Sequence, residues 1–206
     1  MRTRVKICGI TRCEDAQLAV DAGVDAIGLV FYEKSPRFVS NAQAAKISQI
    51  IPAFVSRVAL FKDADEQMVR SVLAEVEIDL IQFHGSETAD FCEQFKRPYI
   101  KALGVKGAEH DADFLLTSAL DFQSAKALLL DGHAPGEAGG TGESFDWASI
   151  TSVEKPIVLA GGLTPENVKQ AIDLLHPFAV DVSSGVESSP GIKDKDKVAA
   201  FMKQVV

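Results

Sequence analysis

A thiol and a carboxyl group close two short apolar runs, and each is a group that can exchange protons with a small molecule. Cys8 ends Arg4-Val5-Lys6-Ile7-Cys8, and Asp131 ends Ala127-Leu128-Leu129-Leu130-Asp131. A carboxylate that follows three leucines is costly unless it is hydrogen-bonded or put to use. Partial desolvation would raise its pKa toward that of a working acid, although capping the next loop is the other role open to it. Cys8 fits a general base or a nucleophile, and equally a small buried hydrophobe, which is what most free cysteines are. An unperturbed thiol of pKa about 8.5 is only a few per cent thiolate at pH 7. Use of Cys8 as a base therefore requires that its surroundings lower that value or that bound substrate position it. Asp181 ends a further run, where a substrate contact, an orienting partner and a structural cap all remain open.

Two loops are built for anions. Ala160-Gly161-Gly162-Leu163 and Asp181-Val182-Ser183-Ser184-Gly185-Val186 put small residues where backbone N–H groups can approach a ligand closely. A tight turn would explain either loop alone, but two at consecutive strand ends point to phosphate. Arg37 follows a stiffening proline in Lys34-Ser35-Pro36-Arg37 and could offer its fork to a carboxylate. Lys6 and Lys101 lie inside strand-like runs, where a barrel interior would hold them as ion-pair partners or as Schiff-base amines. His84, His110, His133 and His176 have no metal-ligand spacing, so no metal is expected.

These groups need a scaffold that gathers them. Short apolar, non-alternating runs at residues 4–8, 25–31, 57–61, 80–83, 98–103, 127–131, 156–160 and 178–182 read as strands covered on both faces. Helical periodicity fills the intervals, with residues 111–120 and 145–150 among the helices. Cap signals are predicted at Thr11 with Glu14, at Ser40, Asp63 and Ser86, and at Thr164-Pro165. Eight such units in 206 residues, about 26 residues each, suit an α/β fold made of a single parallel eight-stranded (β/α)8 TIM barrel over residues 1–206. An open doubly wound sheet is the rival, but it would leave edges that nothing in the pattern guards. In a barrel, Cys8, Arg37, His84, Asp131, Gly161, Gly162 and the 183–185 loop share one rim.

The net charge of −8 and pI near 5.0 set the chain against nucleic acids and anionic membranes. A small anion held by local donors remains compatible. Three scattered cysteines are no disulfide framework and indicate a reducing cytoplasm. No apolar run approaches the roughly 18 residues of a membrane span, and no signal peptide is evident.

Taken in order, several segments resemble the phosphoribosylanthranilate isomerase family along essentially the whole chain. They are Lys6-Ile7-Cys8-Gly9-Ile10-Thr11, Lys34-Ser35-Pro36-Arg37, Gln82-Phe83-His84-Gly85, Leu130-Asp131, Gly139-Gly140-Thr141-Gly142, Phe145-Asp146-Trp147 and the two glycine loops through Glu187. The resemblance implies a cofactor-free Amadori rearrangement of N-(5-phosphoribosyl)anthranilate to the carboxyphenylamino-deoxyribulose phosphate. By the same resemblance Asp131 is the general acid, Cys8 the general base and Arg37 the holder of the anthranilate carboxylate. The resemblance gives the phosphate site to Gly161, Gly162, Ser183, Ser184 and Gly185, with Asp181, His84 and Gly140 as candidates for a supporting part elsewhere in the site. Glu143 stands where relatives often carry a basic residue, which weakens any anion contact from that loop. The rival functions are a Schiff-base aldolase using Lys101 or Lys6, and a non-catalytic phosphosugar-binding barrel. Five glycines between residues 132 and 143 suggest a lid. The expected partner is the small phosphoribosyl substrate alone, bound by a monomer or a homodimer.

Overall fold

A computed structural model describes residues 2–105, 112–132, 147, 150 and 154–205. Eight parallel strands close into a barrel in chain order. They are β1 (Arg4–Cys8), β2 (Ala26–Val30), β3 (Ser56–Phe61), β4 (Leu80–Phe83), β5 (Tyr99–Gly104), β6 (Ala127–Asp131), β7 (Ile157–Leu159) and β8 (Ala179–Val182). The connecting helices are α1 (Cys13–Asp21), α2 (Asn41–Gln49), α3 (Glu66–Glu75), α4 (Ala89–Glu93), α5 (Ala112–Asp121) and α6 (Val168–Leu175), with α7 (Lys195–Val205) closing the chain. Pairing of β1 with β8 completes the ring and sets Lys6 beside Asp181. The open-sheet alternative is thereby excluded, and the predicted helix at 111–120 is present with a one-residue shift. The predicted helix at 145–150 falls almost wholly outside the described residues.

Strand parity explains the apolar runs. Leu129 of β6 joins Ala102, Val158 and Ala179 in a cluster that fills the barrel, while its neighbours Leu128 and Leu130 pack in the large shell between strands and helices. Both faces are buried, as parallel strands demand. The inward series then carries Lys6 and Cys8 on β1, Asp131 on β6 and Asp181 on β8 to the interior and the carboxyl-terminal rim. Lys101 corrects the sequence expectation. Its neighbours Ile100 and Ala102 are the inward residues, so Lys101 faces the helices, with its ammonium 5.5 Å from the centre of the Phe122 ring.

Several helix starts also differ from expectation. Ser40 caps α2 as predicted, accepting from the Gln43 N–H. Thr11 does not cap α1; its hydroxyl donates to the Gly191 carbonyl (2.6 Å), and Arg12 occupies the cap position. Asp65 rather than Asp63 caps α3, because Asp63 adopts a left-handed φ of 51° and accepts from the Ser86 N–H. Ser86 is thereby engaged, and Thr88 caps α4. At α6 a turn intervenes after Thr164-Pro165, and Asn167 takes the cap position without a side-chain bond. A short antiparallel hairpin after β8, β9 (Glu187–Ser189) with β10 (Ile192–Lys193), carries no apolar run and was not expected. Among the described residues, no helix is long and apolar enough to cross a membrane, and no group of three or more His, Cys, Asp or Glu side chains could hold a metal.

Candidate active site

At the carboxyl-terminal rim a cavity of about 190 Å³ brings together most of the residues singled out in the sequence. Cys8, Arg37, His84, Asp131, Gly161, Gly162, Asp181, Ser183 and Ser184 all line it. Gly185 does not. It lies against Leu163, where any side chain would overlap the carbonyl, so its bareness lets the two terminal loops pack. Gly140, Glu143 and the lid expected from residues 132–143, Gly132 excepted, lie outside the described residues. Gln82, Tyr32, Lys34 and Lys62 also line the cavity.

On the β1 side Lys6 is the hub. Its ammonium donates to both Asp181 carboxylate oxygens at 2.9 Å and also reaches the Cys8 thiol. Burial opposes the Lys6 charge, but Asp181 and Cys8 more than offset it and hold the amine protonated. Gly28 on β2 leaves the room this needs, since a Cβ there would lie 2.7 Å from the Cys8 sulfur and 3.0 Å from Lys6 Nζ. Of the two routes the sequence left open for the thiol, a lowered pKa in the resting site is not the one found. Burial pushes the Cys8 pKa above the ordinary thiol value, Asp181 adds to the rise, and the cations Lys6 and Lys193 only partly oppose it. The resting rim therefore does not lower the Cys8 pKa.

Across the cavity His84 Nε2 lies 3.3 Å from Asp131 Oδ2, and Gln82 Nε2 lies 2.9 Å from His84 Nδ1. Gln82 thus holds the ring through Nδ1, with Nε2 turned to the carboxylate. Gln82 is fully buried, and its Oε1 has no hydrogen-bond partner. Gly161 turns the β7 loop with φ +78°. A Cβ there would overlap the Gly132 N–H and stand 2.9 Å from Asp131 Oδ1, so glycine permits the close approach of this loop to the acid.

Arg37 is not a solvated surface group. Its Nε and Nη2 donate to the Glu187 carboxylate at 2.9 and 2.8 Å. Glu187 also receives Lys193 Nζ at 2.7 Å, and Lys193 donates to the Cys8 carbonyl at 2.6 Å. Burial alone would raise the Glu187 pKa, but the two cations reverse this and hold it below the ordinary carboxylate value. The sequence contained no local signal for Lys193 or for these partners of Glu187. Neither lysine proposed for an imine fits that role: Lys6 is held as a buried ammonium, and Lys101, bonded to Glu87 (2.8 Å) and the Gly85 carbonyl, does not line the cavity.

Comparison with known proteins agrees with the geometry. The family described as N-(5'phosphoribosyl)anthranilate (PRA) isomerase matches residues 5–204. The N-(5'-phosphoribosyl)anthranilate isomerase of Pseudomonas fluorescens (strain SBW25) is 52% identical over 203 residues, covering 98% of this chain and 95% of that protein. The crystal structure of the phosphoribosyl anthranilate isomerase from Thermotoga maritima is 40% identical, with a TM-score of 0.85 and 98% of each chain covered. A crystal structure of such an isomerase in complex with reduced 1-(o-carboxyphenylamino)-1-deoxyribulose 5-phosphate is 39% identical, with a TM-score of 0.82 and 98% of each chain covered.

Proposed function

Because the chain belongs to the N-(5'-phosphoribosyl)anthranilate isomerase family and is an isomerase of tryptophan biosynthesis, we propose that Asp131 and Cys8 carry its Amadori rearrangement as acid and base. The observation that carries this reading is a single rim cavity lined by both groups, with anion-suited loops beside them.

Asp131 gives its proton to the ring oxygen of N-(5'-phosphoribosyl)anthranilate as the C1–O bond breaks, leaving an iminium at C1 and a hydroxyl at C4. His84 Nε2, 3.3 Å from the same carboxyl group, is placed to stabilise the carboxylate that remains. Cys8 then removes the C2 proton. The C–H electrons form a C1–C2 double bond and the iminium electrons return to nitrogen, giving an enolamine. Protonation at C1 and loss of the C2 hydroxyl proton yield the ketose. C1 is reduced and C2 oxidised within one molecule, so the step balances without an external redox partner.

The raised thiol pKa has a use here. A base of high intrinsic pKa is strong once ionised, and the iminium cation formed beside it favours the thiolate at the moment of transfer. Lys6 is already placed to stabilise that thiolate. The N–H groups at Gly161, Gly162, Ser183 and Ser184 suit the phosphate, and Arg37 suits the anthranilate carboxylate. The neighbour solved with a reduced product analogue supports a ligand carrying both anions. Growth of a tryptophan auxotroph lacking this isomerase, when supplied with the gene for this chain, is the expected result. Absence of growth despite soluble expression would leave the non-catalytic barrel as the better reading.

We further propose that the chain acts as one barrel domain over residues 1–206, in the cytoplasm, as a homodimer. A solved neighbour is described as monomers generated from a dimeric isomerase of Thermotoga maritima. In this chain Phe54, between α2 and β3, is 100% exposed, an apolar side chain suited to burial by a second copy. Sedimentation velocity at micromolar concentration should give the mass of a dimer, and Phe54→Asp that of a monomer.

A further inference from the structure

We propose that Lys193, on the hairpin after β8, is a positioning residue for this reaction: it ties the Cys8 strand end to the phosphate loop and shares Glu187 with Arg37, the residue suited to the substrate carboxylate. The inference rests on the roles given above to Cys8 and Arg37.

The Lys193 side chain is only 1% exposed, so its ammonium is a designed feature of the interior and not a surface charge. It makes three bonds, to the Cys8 carbonyl (2.6 Å), to the Ser183 carbonyl (3.3 Å) and to Glu187 Oε1 (2.7 Å). The first two join the ends of β1 and β8, where the base and one wall of the phosphate site stand. Ser183 strengthens the same junction, its hydroxyl donating to the Cys8 carbonyl at 3.0 Å. The third bond changes the electrostatics of Arg37. A lone Arg37–Glu187 pair would be neutral and a weak lure for another carboxylate. With Lys193 sharing Glu187, two basic groups face one carboxylate; burial pulls the Lys193 pKa down and Glu187 opposes that, and Arg37 is the member of the triad that lines the cavity.

The charge also acts on the thiol. The groups facing Cys8 are Lys6 from its own strand, Asp181 from β8, Lys193 from β10 and Arg37 from the loop after β2. Glu187 stands behind the last two. Lys6 pulls hardest toward the thiolate, Asp181 opposes it, and Lys193 adds a further, smaller pull in the same direction as Lys6. The hairpin is itself anchored, through Thr11 to the Gly191 carbonyl and through the Lys193 N–H to Asp15 (3.2 Å), so the ammonium has a fixed position.

The test is Lys193→Met in the full chain, which keeps the length of the side chain and removes the charge. Steady-state kinetics should show kcat lowered about tenfold and KM raised several-fold. The pH dependence of Cys8 alkylation by iodoacetamide, read at that residue by mass spectrometry, should shift its midpoint up by about one unit. Glu187→Gln keeps the ammonium and should leave the midpoint at or below the wild-type value; it carries the test if Lys193→Met does not fold. A Lys193→Met midpoint and kcat both matching wild type would overturn the proposal, as would an upward shift in Glu187→Gln. The alkylation readout needs no turnover. Failure of the base assignment itself would appear separately, as full activity in Cys8→Ala.

Discussion

Cys8→Ala is expected to lower kcat by about 10²-fold or more while affinity for a reduced product analogue stays within a few-fold of wild type. The substitution removes one buried sulfur from a site whose proposed phosphate and carboxylate contacts lie on other loops, so binding should survive and proton abstraction should not. Turnover with the rearranging substrate and calorimetric titration with the analogue separate the two effects. Near wild-type kcat would remove the base assignment. In the wild-type enzyme, kcat/KM should climb with pH through an ionisation above the ordinary thiol range, because burial outweighs the pull of Lys6 on the thiolate. That rising limb should be missing from whatever activity Cys8→Ala retains.

Asp131→Asn is the second large effect, a loss of about 10²-fold or more in kcat with little change in analogue binding. Asparagine fills the same volume beside Gly161 and keeps a polar group facing His84 Nε2, so the site keeps its shape. What it lacks is a proton acidic enough to give to the ring oxygen, so opening to the iminium stalls before Cys8 has anything to deprotonate. Rapid-quench analysis should therefore find unopened substrate on the Asp131→Asn enzyme. Accumulation of a ring-opened species there, or kcat within a few-fold of wild type, would reassign the acid.

The strands, and the gathering of Cys8 and Asp131 in one cavity, were legible because burial on both faces leaves unbroken apolar runs, and a polar residue ending such a run stands out. Cys8 and Asp131 are cases of this. The same feature hid the orientation of Lys101: when both faces are apolar, no alternation reveals which way a lysine points, and only closure of the ring, with Ile100 and Ala102 inside, settled it. Helix caps were half legible. Ser40 needed only its own helix, whereas the Thr11 hydroxyl is claimed by Gly191, 180 residues later in the chain. Glu187 and Lys193 act through equally distant partners, Arg37 at a separation of 150 residues and Cys8 at 185, and local pattern carries no trace of such pairings.

The hairpin after β8 has a bearing on biosynthesis. The first strand leaves the ribosome with its thiol long before residues 187–193 exist, and closing a loop of that length is slow relative to local helix formation. A nascent chain can thus hold most of its shell while the reacting end of β1 still lacks its final brace. The brace on the reacting end of β1 is therefore a late, nearly terminal addition, and a message cut short upstream of Glu187 never makes it.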